Sequence, residues 1–174
     1  MVDVIDDWML DPYLVNFVYK DWLHNFPHYF NGASKSRTLD SGSDLTFYNH
    51  DFDPENQMTL YLANKLMAQG IIDKNLVYDR IHLNIQMQGM GINSKFHTDK
   101  TVRTALWMVS PNDIEGAEFL YLDAQGNVQQ IEYRQNRLIF FDGGEKFPHK
   151  ANPPTNYVPR MTVAFKAVDE KIYS

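Results

Sequence analysis

The chain has 174 residues, and 22 acidic residues against 16 basic ones give a formal net charge of −6. It contains no cysteine, which excludes disulfide scaffolds, thiolate zinc sites, iron–sulfur clusters and cysteine nucleophiles. Any metal site must therefore use His, Asp or Glu. The acidic balance argues against binding of duplex nucleic acid, which requires a basic surface. The length predicts a single domain over residues 1–174.

The hydropathy pattern predicts a cytoplasmic protein without a membrane partner. No stretch approaches the roughly 20 apolar residues that span a bilayer. Residues 1–7 carry acid where a secretory signal carries base.

Two helices are predicted in the first third of the chain. Asp11-Pro12 is a start signal, an acidic N-cap before a proline at the first helical position. Apolar residues then recur at helical spacing as far as Pro27: Leu14, Phe17, Val18 and Leu23. Asp53-Pro54-Glu55 repeats the start signal, and Gly70 suits the end of the second helix. Residues 31–44 are predicted as a loop, with a short strand over residues 45–48.

From Val77 onward the pattern predicts strands. Apolar residues alternate with polar ones along residues 81–88, as in a half-buried strand. Further strands are predicted at 101–109, 117–122, 128–133, 137–141 and 160–167, with a loop at 89–94, a hairpin turn at 123–127 and a sharp break at 142–144. Short strands with closely spaced turns indicate an antiparallel sandwich or barrel, with the helices against the outside of one sheet.

His97 and Asp99 form the first motif that carries chemistry. Residues two apart in a strand point to the same face, so an imidazole and a carboxylate can face one metal ion. His149 follows the apolar run 138–141 and would complete a two-histidine, one-carboxylate set. That set suits Fe(II) with open positions, and it also resembles some catalytic zinc sites. Taken singly, a solvated strand end and a loop histidine explain these residues equally well.

Arg160 is the next candidate, on the same predicted strand face as Thr162, while apolar residues occupy the other face. A guanidinium that faces a barrel interior requires an anion, because burial of an unpaired charge is unfavourable. Its planar fork matches a carboxylate, and the Thr162 hydroxyl can add a hydrogen bond. The alternative is a half-exposed arginine that pairs with a nearby acid.

The order of these residues resembles the iron(II)- and 2-oxoglutarate-dependent dioxygenases, most nearly their prolyl 4-hydroxylase-like branch. The resemblance covers roughly residues 81–166. Within it, residues 116–119 (Gly-Ala-Glu-Phe) are similar to the Gly-Gly-Glu-Leu strand start of that branch. Residues 137–141 resemble its apolar strand before the distal histidine, and residues 4–8 resemble its N-terminal lead-in.

The resemblance implies a mainly β fold with N-terminal α-helices: a double-stranded β-helix, or cupin-like jelly-roll barrel, buttressed by helices. Residues 1–76 would form the helical buttress and loops, and residues 77–167 the core that carries the site. It implies Fe(II) held by His97, Asp99 and His149, and 2-oxoglutarate bound through its far carboxylate by Arg160 and Thr162. O2 is the other cosubstrate, and ascorbate is compatible with this chemistry. The implied reaction couples decarboxylation of 2-oxoglutarate, which gives succinate and CO2, to hydroxylation of a substrate.

One stretch departs from the family pattern. Many prolyl hydroxylase-like enzymes carry a tyrosine on the strand after the His-x-Asp motif, but residues 104–110 contain none. Thr104 is one candidate for the missing anchor of 2-oxoglutarate. The polar face of the earlier strand offers Asn84, Gln86 and Gln88, of which we favour Gln86. Asp99 stands where the related halogenases have a small residue, so hydroxylation is favoured over halogenation.

Two other functions are compatible with the sequence. A zinc-dependent hydrolase could use the same three ligands with Glu145 or Asp142 as general base, but it leaves Arg160 unexplained. A jelly-roll binding module without turnover is the other. For the dioxygenase, the substrate class is a peptide, a protein or a small molecule, and a prolyl peptide comes first by analogy alone. Loops 31–44 and 89–94 would then set specificity.

Several conspicuous residues receive no role. The remaining histidines are interpreted as loop, surface or supporting residues: His24, His28, His50 and His82. Trp107 is expected in the core rather than in the pocket.

Overall fold

The structure, a computed structural model, describes residues 2–31, 47–53, 55–92, 94–144 and 147–170. The predicted loop 31–44 beyond Asn31 lies outside these ranges, as do residues 45–46, Asn93 and Glu145. The described helices are α1 (Pro12–Asn25) and α2 (Gln57–Ala68). The described strands are β1 (Val2–Ile5), β2 (Tyr29–Asn31), β3 (Phe47–Asp51), β4 (Leu76–Gln86), β5 (Arg103–Met108), β6 (Phe119–Leu122), β7 (Val128–Ile131), β8 (Leu138–Asp142), β9 (His149–Ala151) and β10 (Arg160–Asp169).

The strands form two antiparallel sheets. The larger sheet has seven strands in the order β1-β8-β5-β10-β4-β3-β2, and the smaller has three in the order β7-β6-β9. An isolated antiparallel bridge joins His97 to His149 of β9. The prediction of a mainly β fold with antiparallel strands and two helices is confirmed. None of the described helices is long and apolar enough to cross a bilayer.

The helix starts follow from side-chain caps. Asp11 Oδ1 accepts a hydrogen bond from Tyr13 N at 2.9 Å, and Pro12 is the first residue of α1, as predicted. The second helix begins later than its start signal suggested. Its N-cap is Asn56, whose Oδ1 accepts from Thr59 N at 3.0 Å. Asp53 instead closes the turn before α2, where its carboxylate accepts from the backbone N of Glu55 at 2.8 Å.

The outer face of the larger sheet is apolar, and both helices pack against it. The buried residues of this layer include Val15, Val18, Trp22, Leu62, Leu66, Leu83, Ile85, Trp107, Met161, Val163 and Phe165. Trp107 is fully buried, meets Trp8 edge to face at 5.4 Å, and donates its Nε1–H to Asn136 Oδ1 at 3.2 Å. The expectation that Trp107 belongs to the core is confirmed.

The inner face of the larger sheet changes character from one side to the other. On the side of β5 and β8 it is apolar and packs against the smaller sheet, through Met108, Phe119, Ile139, Phe141 and Phe147. On the side of β4 and β10 it is polar and lines a cavity. The predicted alternation along residues 81–86 is therefore confirmed, because Leu83 and Ile85 face the helices while His82, Asn84 and Gln86 face the cavity.

Some elements lie outside the predicted pattern. Strands β1, β2 and β9 have three or four residues each, too few to show an alternation of their own.

The hairpin turn between β6 and β7 is confirmed. Asp123 Oδ1 accepts hydrogen bonds from Gln125 N and Asn127 N, and Gly126 adopts φ +82°.

Candidate metal centre and arginine pocket

The backbone around His97 and Asp99 is fixed by two neighbouring segments. His97 and His149 exchange two backbone hydrogen bonds, with N···O distances of 3.0 and 2.8 Å. Gly144 N donates to the Asp99 carbonyl at 2.8 Å. Gly143 approaches so closely that an added Cβ would lie 2.2 Å from the Thr101 carbonyl oxygen. The predicted break at 142–144 therefore holds the His-x-Asp segment in place.

The side chains of His97, Asp99 and His149 converge at one point. One potential ligand atom from each lies within 4.8 Å of the other two, and no other group of three or more such side chains occurs in the described ranges. Asp99 Oδ2 is 3.8 Å from His149 Nε2. His149 donates its Nδ1–H to the Phe147 carbonyl at 3.0 Å, since a carbonyl can only accept. This hydrogen bond leaves Nε2 as the atom that can bind a metal ion.

The electrostatics suit metal binding. Burial and the neighbouring His149 lower the pKa of His97 to about 4, and burial also lowers the pKa of His149. Burial alone would raise the pKa of Asp99, but the charge and hydrogen bond of Lys166, together with the neighbouring His149, lower that pKa to about 2. At neutral pH the group therefore offers two neutral imidazoles and one carboxylate, the protonation states that a metal ion requires.

Asp99 has two further partners. Lys166 Nζ donates to Asp99 Oδ1 at 2.6 Å, and Thr104 Oγ1 donates to Asp99 Oδ2 at 3.2 Å. Thr104 was a candidate anchor for 2-oxoglutarate near Arg160. The structure places it beside Asp99 instead, because its strand pairs it with Lys166 rather than with Arg160.

Arg160 lies in the same cavity and is 3% exposed. Its Nε donates to the Ala117 carbonyl at 3.1 Å, and its Nη1 donates to Gln86 Oε1 and Thr162 Oγ1 at 3.3 and 3.4 Å. Burial lowers the pKa of Arg160 to about 10, so the group keeps its charge at neutral pH. No carboxylate of the described residues lies within ion-pair distance of it. A buried guanidinium whose hydrogen-bond partners are all neutral favours the binding of an anion.

A strained turn supports Arg160. Gly116 and Ala117 both adopt positive φ, +69° and +66°. For alanine this conformation costs about 1–2 kcal/mol. It directs the Ala117 carbonyl at Arg160 Nε, while Ala117 N donates to the Pro153 carbonyl at 3.3 Å. Ala117 stands where the related Gly-Gly-Glu-Leu motif has its second glycine.

One cavity of about 200 Å³ connects the histidines with the arginine. Its apolar lining includes Leu106, Phe119 and Ala164. Asn84 Oδ1 is buried and accepts no hydrogen bond from the described residues. Because Asn84 lines the cavity, this acceptor is open to a donor from water or from a ligand.

The structure also sorts the remaining candidates. His82 lines the cavity, whereas His24, His28, His50, Gln88 and Asp142 do not. Asp142 is exposed and pairs with Arg103 at 2.5 Å. Two residues of this region carry no signal in the sequence. Lys166 lines the cavity beside Asp99, and the ring of Tyr133 lies 5.6 Å from the Arg160 guanidinium. A tertiary partner is needed to recognise either residue.

Comparisons with known proteins identify the fold. No protein-family model and no curated protein matches the sequence. Solved structures do match. A prolyl 4-hydroxylase from Pseudomonas putida has a TM-score of 0.73 and 14% identity, over 95% of this chain and 91% of that one. A Trichoplax adhaerens prolyl hydroxylase in complex with a hypoxia-inducible factor oxygen degradation domain peptide fragment has a TM-score of 0.75 and 14% identity, over 98% and 84%. An oxidoreductase of the 2OG-Fe(II) oxygenase family from Burkholderia pseudomallei has a TM-score of 0.71 and 10% identity, over 97% and 85%.

The fold is therefore that of the 2OG-Fe(II) oxygenases and, among them, of the prolyl hydroxylases. The expected double-stranded β-helix, buttressed by helices on one sheet, is confirmed. At 10 to 14% identity the likeness is one of fold.

Proposed function

We propose that the protein is an Fe(II)- and 2-oxoglutarate-dependent dioxygenase that acts as a hydroxylase. The observation that carries the proposal is a single cavity with the His97, Asp99 and His149 cluster and a buried Arg160 that lacks an acidic partner in the described ranges. A metal site alone would not require Arg160. Both features fall within residues 77–167, which we assign as the catalytic core of a single domain over residues 1–174.

His97, Asp99 and His149 would hold the metal ion. Their protonation states at neutral pH match this role, and the hydrogen bond from His149 Nδ1 to Phe147 orients the ring. When bound, Fe(II) supplies the redox chemistry that couples decarboxylation of 2-oxoglutarate by O2 to hydroxylation.

Arg160 would bind the far carboxylate of 2-oxoglutarate. Its Nε is fixed by the Ala117 carbonyl and its Nη1 by Gln86 and Thr162, so the guanidinium is held in place before the ligand binds. Gln86 would be the second residue that anchors 2-oxoglutarate, in place of the tyrosine that residues 104–110 lack. The apolar walls at Leu106 and Phe119 reduce the access of water to the reacting groups.

The first candidate substrate is a prolyl residue in a peptide, followed by other peptides, proteins and small molecules. The fold shared with a hydroxylase whose structure contains a peptide fragment supports this order. Succinate formation from 2-oxoglutarate would be measured over peptides with and without proline, free amino acids and small metabolites, with ascorbate present as reductant. Turnover by a proline-free compound alone would contradict the prolyl assignment.

Anaerobic addition of Fe(II) and 2-oxoglutarate tests the chemistry. We expect a weak visible charge-transfer band in the wild type and its loss in His97→Ala and Asp99→Ala. His24→Ala is the matched control, because His24 is exposed and lies outside the cavity. A band that survives in both cluster variants would rule out the assignment.

The two alternative functions, a zinc-dependent hydrolase and a binding module, predict different results for the same purified protein. Among the described residues, Asp99 is the only acid that lines the cavity, so a zinc hydrolase lacks a general base there; Glu145 lies outside the described ranges. Hydrolase activity that is indifferent to 2-oxoglutarate would favour that function. Binding of Fe(II) and 2-oxoglutarate without succinate formation on any panel member would favour a binding module.

A further inference from the structure

The two oxygens of the Asp99 carboxylate have different surroundings. Oδ1 accepts a short hydrogen bond from Lys166 Nζ at 2.6 Å. Oδ2 lies 3.8 Å from His149 Nε2 and accepts from Thr104 Oγ1 at 3.2 Å. This charge-assisted hydrogen bond holds Oδ1 against the lysine. Oδ2 is the oxygen that faces His149.

The sheet explains why Lys166 is held at Asp99. Lys166 lies on β10 directly opposite Arg80 on β4, and like charges in opposite positions repel. Arg80 forms an ion pair with Asp51, so each cation has an acid of its own. The Asp99 side chain is 6% exposed and that of Lys166 22% exposed, so water screens the pair only weakly.

We propose that Lys166 is a positioning residue that restricts Asp99 to a single oxygen toward the metal ion. The inference rests on the proposed function, because it requires that the cluster binds a metal. A carboxylate with two free oxygens can bind a metal through both, and the second oxygen then takes a coordination position. By occupying Oδ1, Lys166 keeps that position for the cosubstrates.

The lysine has a second effect on the cluster. Its charge opposes that of a bound cation at short range, so it lowers the affinity for divalent ions. Lys166 thus weakens the binding of the metal ion and keeps a coordination position open. A lysine that only stabilised the fold would leave the number of open positions unchanged.

Manganese(II) alone is a suitable probe. The number of water molecules bound to the ion can be counted by electron–nuclear double resonance spectroscopy in isotopically labelled water. We expect Lys166→Met to bind Mn(II) about tenfold more tightly than the wild type and to hold about one fewer water. Lys166→Arg should retain the wild-type values. Lys150→Met is the matched control, since Lys150 also lines the cavity but donates to the Ser94 carbonyl rather than to a carboxylate.

The outcomes separate this inference from the proposed function. Equal water counts in the wild type and Lys166→Met would overturn the role of Lys166 and leave the proposed function intact. Failure of the wild type to bind Mn(II) would overturn both. If Lys166→Met does not fold, Lys166→Gln replaces it. Glutamine keeps a donor for Oδ1 without the charge. We therefore expect Lys166→Gln to bind Mn(II) more tightly than the wild type and to hold the same number of water molecules. Loss of a water in this variant would contradict the positioning role.

Discussion

The outer and inner faces of β10 differ although they belong to one strand. The outer side chains, Met161, Val163 and Phe165, are fully buried beneath the helices. Apart from Ala164, the inner side chains are polar, and Arg160, Thr162 and Lys166 each contact another polar group of the cavity. Burial is almost as complete on the inner face, where Arg160 and Thr162 are 3% and 2% exposed. Burial alone therefore does not distinguish the two faces of β10, whereas polarity does.

The difference between the two faces predicts that substitutions on them affect different properties of the protein. Substitutions on the outer face should change the free energy of unfolding and leave ligand affinity per folded molecule unchanged. Substitutions on the inner face should do the reverse.

The largest effect is expected at Trp107 on the outer face of β5. Trp107→Ala should lower the free energy of unfolding by about 3–5 kcal/mol, because it opens a cavity beside Trp8 and removes the hydrogen bond to Asn136. Denaturant titration measures the loss. 2-Oxoglutarate affinity at a temperature where the variant is folded should stay within a factor of about two. A large loss of affinity would contradict the division between faces.

Arg160 is the matching position on the inner face. Arg160→Met should weaken 2-oxoglutarate binding about 100-fold, the equivalent of about 3 kcal/mol for a buried charge pair. The unfolding free energy should change by less than about 1.5 kcal/mol, since methionine removes a buried charge that has no acidic partner among the described residues. Titration of the charge-transfer band measures the affinity. Arg103→Met is the control, because Arg103 pairs with Asp142 outside the cavity; an equal loss there would argue against a specific anion site.

A smaller effect is expected at the turn that supports Arg160. Gly116→Ala should lower the unfolding free energy by about 1–2 kcal/mol, because an added Cβ would lie 3.0 Å from Thr155 Cγ2 at a φ of +69°. Ala117→Gly should change it by less than about 1 kcal/mol, since relief of the positive φ offsets the loss of a buried methyl group. Thermal unfolding of both variants measures the difference. Equal destabilisation would mean that Ala117 is not strained.

The smallest effect is expected far from both faces, at Asp6. A hydrogen bond from Arg137 is the main cause that holds the pKa of Asp6 below its ordinary value of 3.8. Because the folded pKa is depressed, the stabilisation is complete above about pH 5 and is lost as the pH falls through the folded pKa. Asp6 is about one-third exposed, so the contribution is only about 0.5 kcal/mol. Asp6→Asn should remove this part of the acid dependence between pH 5 and 3. A wild-type slope in the variant would contradict the assignment.

The inner and outer faces of β4 could be predicted from the sequence, because the alternation of polar and apolar residues is a local property. Residues 81–86 could be assigned to opposite faces from their polarity alone, and the structure agrees. The convergence of His97, Asp99 and His149 could be anticipated only through a family resemblance. Their meeting depends on the bridge between His97 and His149 and on the close approach of Gly143, and neither leaves a periodic signal.

Other features depended on the pairing of distant strands. Thr104 and Lys166 are neighbours because β5 pairs with β10, so neither could be placed at Asp99 from a local pattern. The same limit applies to Asn136, whose side chain accepts from Met9 N and donates to the Met9 carbonyl across more than a hundred residues. Gln86, chosen only for its polarity, lies against Arg160 because Gln86 and Arg160 are directly paired across β4 and β10.

The order of strands in the larger sheet has a consequence for how the chain folds during synthesis. Its central strand, β10, is the last described strand in the chain, and it fills the gap between β5 and β4. Until β10 has left the ribosome, both neighbours present unpaired edges, which are templates for association with other chains. Premature termination before Arg160 would thus leave two open edges and remove Arg160, Thr162 and Lys166 from the cavity. We expect such products to aggregate, and we expect the complete chain to fold slowly, because strands as distant as β1 and β8 must pair.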